Sequence, residues 1–200
     1  MIDQLLASLN LIVSQTQTNM KTLGVILAIP WAVFFLNQLL GKRLLYLGIF
    51  PRHLFGLLGI FFAPLLHANF NHLFFNSIPL VVLSNFLLVN GLTYYLWVSL
   101  FITVISGLLI WCFAKPGIHI GASALITGYW GLLVTDIVQQ GTTTAIILGI
   151  ISIYYFIGIF YGVFPGKKGV SWEGHLFGLL AGLATSYLIN DLYLSGKIIL

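Results

Sequence analysis

The sequence predicts an all-α membrane protein: a bundle of six transmembrane helices with short interfacial helices in the first loop. Three observations carry this expectation. Hydrophobic residues make up 60% of the chain and charged residues 6%, with a mean hydropathy of +1.06. Such a composition excludes an ordinary soluble domain. The apolar runs are continuous rather than alternating, which excludes spanning strands and leaves helices. The 200 residues suffice for about six spans of roughly 20 residues joined by short links.

The elements follow in order. Residues 1–20 read as an N-terminal tail whose apolar stretch (Leu5 to Val13) is too short to span and fits an interfacial helix. It has no basic n-region and no A-x-A site, so a cleaved signal peptide is not expected. Residues 21–200 read as one membrane domain. Its first span is about Thr22–Leu40, with Pro30 as a kink. Residues 41–68 are apolar but broken by Gly and Pro, so short interfacial helices are expected there, with Arg52 and His53 facing headgroups. The later spans are about Phe70–Val89, Leu92–Ala114, Ile120–Val138, Thr143–Phe164 and Trp172–Leu192. Tyr94, Tyr95, Trp97 and Trp111 fit aromatic belts.

Several functions are excluded at this stage. The net charge of +4 comes from scattered Lys and Arg, so no nucleic-acid partner is expected. The lone Cys112 cannot form an internal disulfide, and its apolar span reads it as a buried thiol. No Cys/His cluster has metal-ligand spacing, so neither a metal nor another cofactor is implied. A transporter or channel needs a polar route to the far face, which the span midplanes do not supply.

The chemistry concentrates at three helix starts. Ser123 stands between Gly121, Ala122 and Ala124, whose small side chains leave its hydroxyl uncovered. Alone, this reads as a close helix contact. The second, fourth and sixth spans run in one direction, and each begins with polar groups: His72 and Asn76, Ser123, and His175. Ser123 lies eight residues after Lys115 and His175 eight after Lys167, a depth of roughly 10 Å for both. His72 and Asn76 share a helix face at i,i+4. So do His175, Gly178 and Gly182, a smooth face for the Gly121–Ala124 surface to pack on. Polar groups inside a membrane are costly and mark function. A serine and a histidine at one depth suit nucleophile and general base. The Ser123 N–H, His72 and Asn76 can serve as oxyanion donors. No acid fits as a third member. Asp136 is about 20 Å along the helix from Ser123. Glu173 cannot share the face of His175 two residues on, and reads as a solvated charge at the helix start. A Ser123–His175 dyad is therefore expected.

These residues resemble the rhomboid intramembrane serine proteases, over about residues 50–185 and in the family's order. His67-x4-His72-x3-Asn76 is similar to the second-span motif, Gly121-Ala-Ser123-Ala124 to the nucleophile motif, and Gly174-His175-x2-Gly178-x3-Gly182 to the sixth-span motif. The resemblance implies six spans, a multi-pass integral membrane location (the inner membrane in a bacterium), and a Ser123–His175 dyad with His72 and Asn76 at the oxyanion. It also implies cleavage of the transmembrane segments of other membrane proteins within the lipid bilayer. The alternative is a catalytically dead relative that binds membrane proteins. Three departures stand out. Ala124 replaces the usual Gly, and its methyl is expected to loosen the helix contact. Leu57-Leu-Gly-Ile60 replaces the Trp-Arg pair of the first loop. Thr127 replaces an aromatic residue beside the histidine. Family orientation places Lys42, Arg43, Arg52, Lys115, Lys167 and Lys168 outside, against the positive-inside rule; the expectation follows the family.

Overall fold

A computed structural model describes residues 2–165 and 171–194, the last two without their side chains. Long apolar segments satisfy their backbone groups internally as helices, and helices account for nearly all the structure. In chain order these are α1 (Ile2–Leu39), α2 (Gly59–Phe62), α3 (Phe70–Leu88), α4 (Leu92–Phe113), α5 (Ser123–Gln139), α6 (Thr143–Tyr161) and α7 (Trp172–Leu194). Short 3₁₀ turns at Arg43–Leu47, Leu54–Leu57 and Ala63–Leu65 flank α2 in the first loop. Among the described residues there is no strand, only an isolated antiparallel bridge between Ile49 and His119.

Helix α1 differs from expectation. The N-terminal tail and the first span form one helix of 38 residues that runs through Pro30, about 57 Å long. Its first half is not free. Asn85 Nδ2 donates to Thr16 Oγ1 at 2.8 Å, Asn19 Nδ2 to the Leu88 carbonyl at 3.2 Å, and Thr144 Oγ1 to Ser8 Oγ at 3.1 Å. These bonds hold it along the end of α3 and the start of α6.

Among the described residues, four helices are long and apolar enough to cross a membrane: α1, α3, α4 and α6. Of the remaining helices, α5 sits inside the bundle, and α7 packs along it with Leu180, Tyr187 and Leu188 exposed on its outer face. In α5 the run Ile126 to Leu133 is buried without interruption, and the α5–α7 interface is the most extensive in the molecule. A helix enclosed by protein need not be apolar enough to face lipid, and α5 carries Thr127 and Asp136 among its buried residues. Glycines allow the close approach. A Cβ at Gly178 would collide with the backbone of Ala124, and one at Gly182 with the backbone of Gly128. Ala124 abuts Gly178 through its backbone and packs against the cluster that includes Ile60, Ala63 and Ile110.

Other expectations are corrected by packing. Arg52 is exposed, and its guanidinium donates to the Cys112 carbonyl at 3.2 Å and the Ala114 carbonyl at 2.9 Å. It thereby caps the C-terminus of α4, where a cation is favoured. Cys112 is exposed, on the outer side of α4. Tyr94 and Tyr95 are buried rather than placed in a belt. Tyr94 donates to the Asp136 carboxylate at 3.0 Å. Trp111 Nε1 donates to the His53 carbonyl at 2.9 Å.

Candidate active site

The starts of α3, α5 and α7 converge at one end of the bundle. Ser123 is the first residue of α5, preceded by Ala122, which supplies no side-chain cap. Its N–H belongs to the first turn, which has no intrahelical acceptor. The segment before it is tied to the first loop. Gly121 N–H donates to the Ala63 carbonyl at 2.9 Å, and His119 and Ile49 exchange backbone bonds at 2.9 and 3.0 Å. Gly121 has φ +111°, and a Cβ there would lie 2.6 Å from the His72 ring. Only glycine fits, on both counts. This contact brings α3 against the segment that carries Ser123.

On α3, Asn69 caps the helix by accepting the His72 N–H at 2.9 Å. Asn76 Nδ2 lies 3.2 Å from His67 Nε2. His67, almost wholly buried, is held neutral by burial and by the neighbouring His72, its pKa lowered to about 4. A neutral Nε2 accepts one Asn76 amide hydrogen, which fixes the amide while its second hydrogen stays available.

On α7, His175 lies one turn before Gly178, which abuts Ala124. The closing turn of α6 packs on it too: a Cβ at Gly162 would lie 3.2 Å from the His175 ring. The His175 Nδ1 is 3.2 Å from the Ser171 carbonyl. A carbonyl only accepts, so in the neutral ring Nδ1 carries the hydrogen and Nε2 keeps its lone pair. Ser123, His72, Asn76 and His175 are all half-buried. A pocket of about 40 Å³ lies beside Ser123, shared with Gly121, Ala124, Ser171 and Gly174. No hydrogen bond joins Ser123 Oγ to His175 among the described residues. Nor does an aromatic ring stack on His175 there; Thr127 points elsewhere and donates to the Ser123 carbonyl at 2.7 Å.

Neither acid completes a triad. Asp136 is in the last turn of α5, bound by Tyr94, Gln140 and Ser186. Glu173 overturns one expectation: it is 7% exposed rather than solvated. Its carboxylate lies 4.0 Å from Lys115 Nζ and 3.4 Å from Ser171 Oγ. Sequence reasoning passed over Ser171 and His119. The signal was spacing, since Ser171 precedes His175 by four residues and so presents its carbonyl to that side chain. No group of three or more His, Cys, Asp or Glu could hold a metal among the described residues. Lys167, Lys168 and Lys197 lie outside the described residues.

The apolar helices and enclosed polar core define an integral membrane protein. Residues 51–191 match the rhomboid domain family. An uncharacterised protein of Mycobacterium tuberculosis is 38% identical over 180 residues, covering 84% of this chain and 74% of that protein. One from Mycobacterium bovis gives the same figures. One from Mycobacterium leprae is 33% identical over 195 residues, covering 88% and 76%. The chain belongs to the rhomboid family.

Proposed function

We propose that the chain is an intramembrane serine endopeptidase that cleaves transmembrane segments of other membrane proteins with a Ser123–His175 dyad. The observation that carries this is the hydrogen of His175 Nδ1, committed to the Ser171 carbonyl. It leaves Nε2 unprotonated and able to act as a base, on the helix whose Gly178 abuts Ala124 beside Ser123. In this reading α5 and α7 join the four apolar helices as spans, making six. The bundle is a multi-pass protein of the inner membrane in a bacterial cell.

The chemistry then follows. His175 Nε2 accepts the Ser123 proton as Oγ attacks a peptide carbonyl, and returns it to the leaving amine. The tetrahedral oxyanion is met by the Ser123 N–H, the second Asn76 amide hydrogen and His72. Water then hydrolyses the acyl-enzyme, with His175 again as base. No cofactor takes part.

The test is cleavage of a single-span reporter protein in liposomes. The parent chain is expected to cut it within the span, and Ser123→Ala to leave it intact. Equal cleavage by both would end this reading. The lack of a Ser123–His175 hydrogen bond keeps a second reading open, a relative that binds membrane proteins without cutting them. Capture of the reporter without cleavage by the parent chain would favour it.

A further inference from the structure

A catalytic histidine needs a group that fixes its tautomer and its direction, a task given to an acid in Ser-His-Asp triads. No carboxylate bonds to His175 among the described residues. The Ser171 carbonyl takes that place, at 3.2 Å from Nδ1. This carbonyl also accepts the Gly174 N–H at 3.1 Å, and the Ser171 side chain ties the same residue to its neighbours. Ser171 Oγ accepts the Gly174 N–H at 3.3 Å, the N-cap contact of α7. It also lies 3.0 Å from His119 Nδ1. His119 Nε2 is 2.9 Å from the Lys115 carbonyl, so in the neutral ring Nε2 carries the hydrogen and Nδ1 accepts the Ser171 hydroxyl proton. That proton cannot also serve Glu173, which is farther away at 3.4 Å. His119 is in turn fixed through its backbone to Ile49. A continuous set of bonds thus runs from the first loop, through the segment just before Ser123, to the ring of His175.

We infer that Ser171 and His119 are positioning residues for the reaction. They brace the Ser171 carbonyl against His175 Nδ1 and so decide which ring nitrogen is the base. The inference rests on the serine-protease reading, but part of its test does not. Ser171→Ala keeps the carbonyl and loses the brace. His119→Phe keeps the ring volume and loses both nitrogens. Small misplacements of a reacting group cost about tenfold to a hundredfold in rate. Each variant should therefore lower kcat by that factor with KM unchanged, and Ser171→Thr should restore the parent value.

The second readout is the ring-nitrogen spectrum of the full chain, labelled with ¹⁵N-histidine in lipid nanodiscs. The His175 signals are identified by their loss in His175→Gln. The parent chain and Ser171→Thr should show the Nδ1–H tautomer, and Ser171→Ala and His119→Phe a mixture of tautomers. If Ser171→Ala does not fold, His119→Phe gives the same two readouts. An unchanged tautomer, or an unchanged kcat, in the variants overturns the inference. A parent chain that cleaves nothing, yet whose His175 tautomer responds to Ser171→Ala, sinks the protease reading and leaves the brace standing.

Discussion

At the scale of single residues, the site depends on partners that satisfy exactly one hydrogen of a two-hydrogen group. Asn76 gives one amide hydrogen to His67 and retains the other for an oxyanion. Gly121 lets the His72 ring approach the backbone two residues before Ser123. The spacing of His67, His72 and Asn76 was legible in the sequence because an i,i+4 pair must share a helix face. The roles within the trio were not legible, since they depend on which ring is buried. Backbone acceptors are silent in a sequence, so the hold of Ser171 on His175 could not be read there. Glu173 was misread for a related reason: a charge at a helix start looks solvated until distant residues such as Lys115 are seen to close on it. Loss of one oxyanion donor costs about 10²–10³ in rate. Asn76→Ala should slow reporter cleavage by that factor while Ser123 still reacts with a fluorophosphonate. Full cleavage activity in Asn76→Ala would reduce Asn76 to a structural tie.

At the scale of elements, the position of Ser123 relative to His175 is set by glycines on α7. Gly178 and Gly182 abut the backbones of Ala124 and Gly128, which cannot move aside as a side chain can. Their one-face spacing made this interface predictable, and the boundaries of α3 through α7 fell within a few residues of the expected spans. The continuity of α1 was not predictable in this way. The apolar stretch before Ser14 reads as too short to span, and the bonds of Thr16 and Asn19 to Asn85 and Leu88 that hold the polar run against α3 are not visible in the sequence. Overpacking a tight contact costs about 1–3 kcal/mol. Gly178→Val should lower thermal stability by that amount and reduce cleavage. Gly158→Ala on α6, with no atom within 4 Å of the added methyl, should change neither. Equal stability of Gly178→Val and the parent chain would show that the α5–α7 approach does not set the site.

At the scale of the whole molecule, polarity is divided between the two ends of an apolar bundle. The reacting groups gather at the starts of α3, α5 and α7. The far end has its own buried network, in which Asp136 accepts from Tyr94 at 3.0 Å and Gln140 at 2.7 Å, and also from Ser186. These bonds join α4, α5 and α7 about 20 Å from Ser123 by helix rise. Leaving buried partners of such a network unsatisfied costs about 1–3 kcal/mol. Asp136→Asn should therefore lose stability by about that much, with cleavage within about tenfold of the parent. A loss of about 10⁴, the cost of removing a triad acid, would contradict a dyad. The most direct measurement on the dyad is covalent: purified protein is treated with a fluorophosphonate and the labelled residue is mapped by peptide mass spectrometry. Label on Ser123, lost in Ser123→Ala and suppressed in His175→Ala, is the expected result. Label absent from Ser123 in a folded parent chain, or undiminished in His175→Ala, would contradict a nucleophile activated by His175.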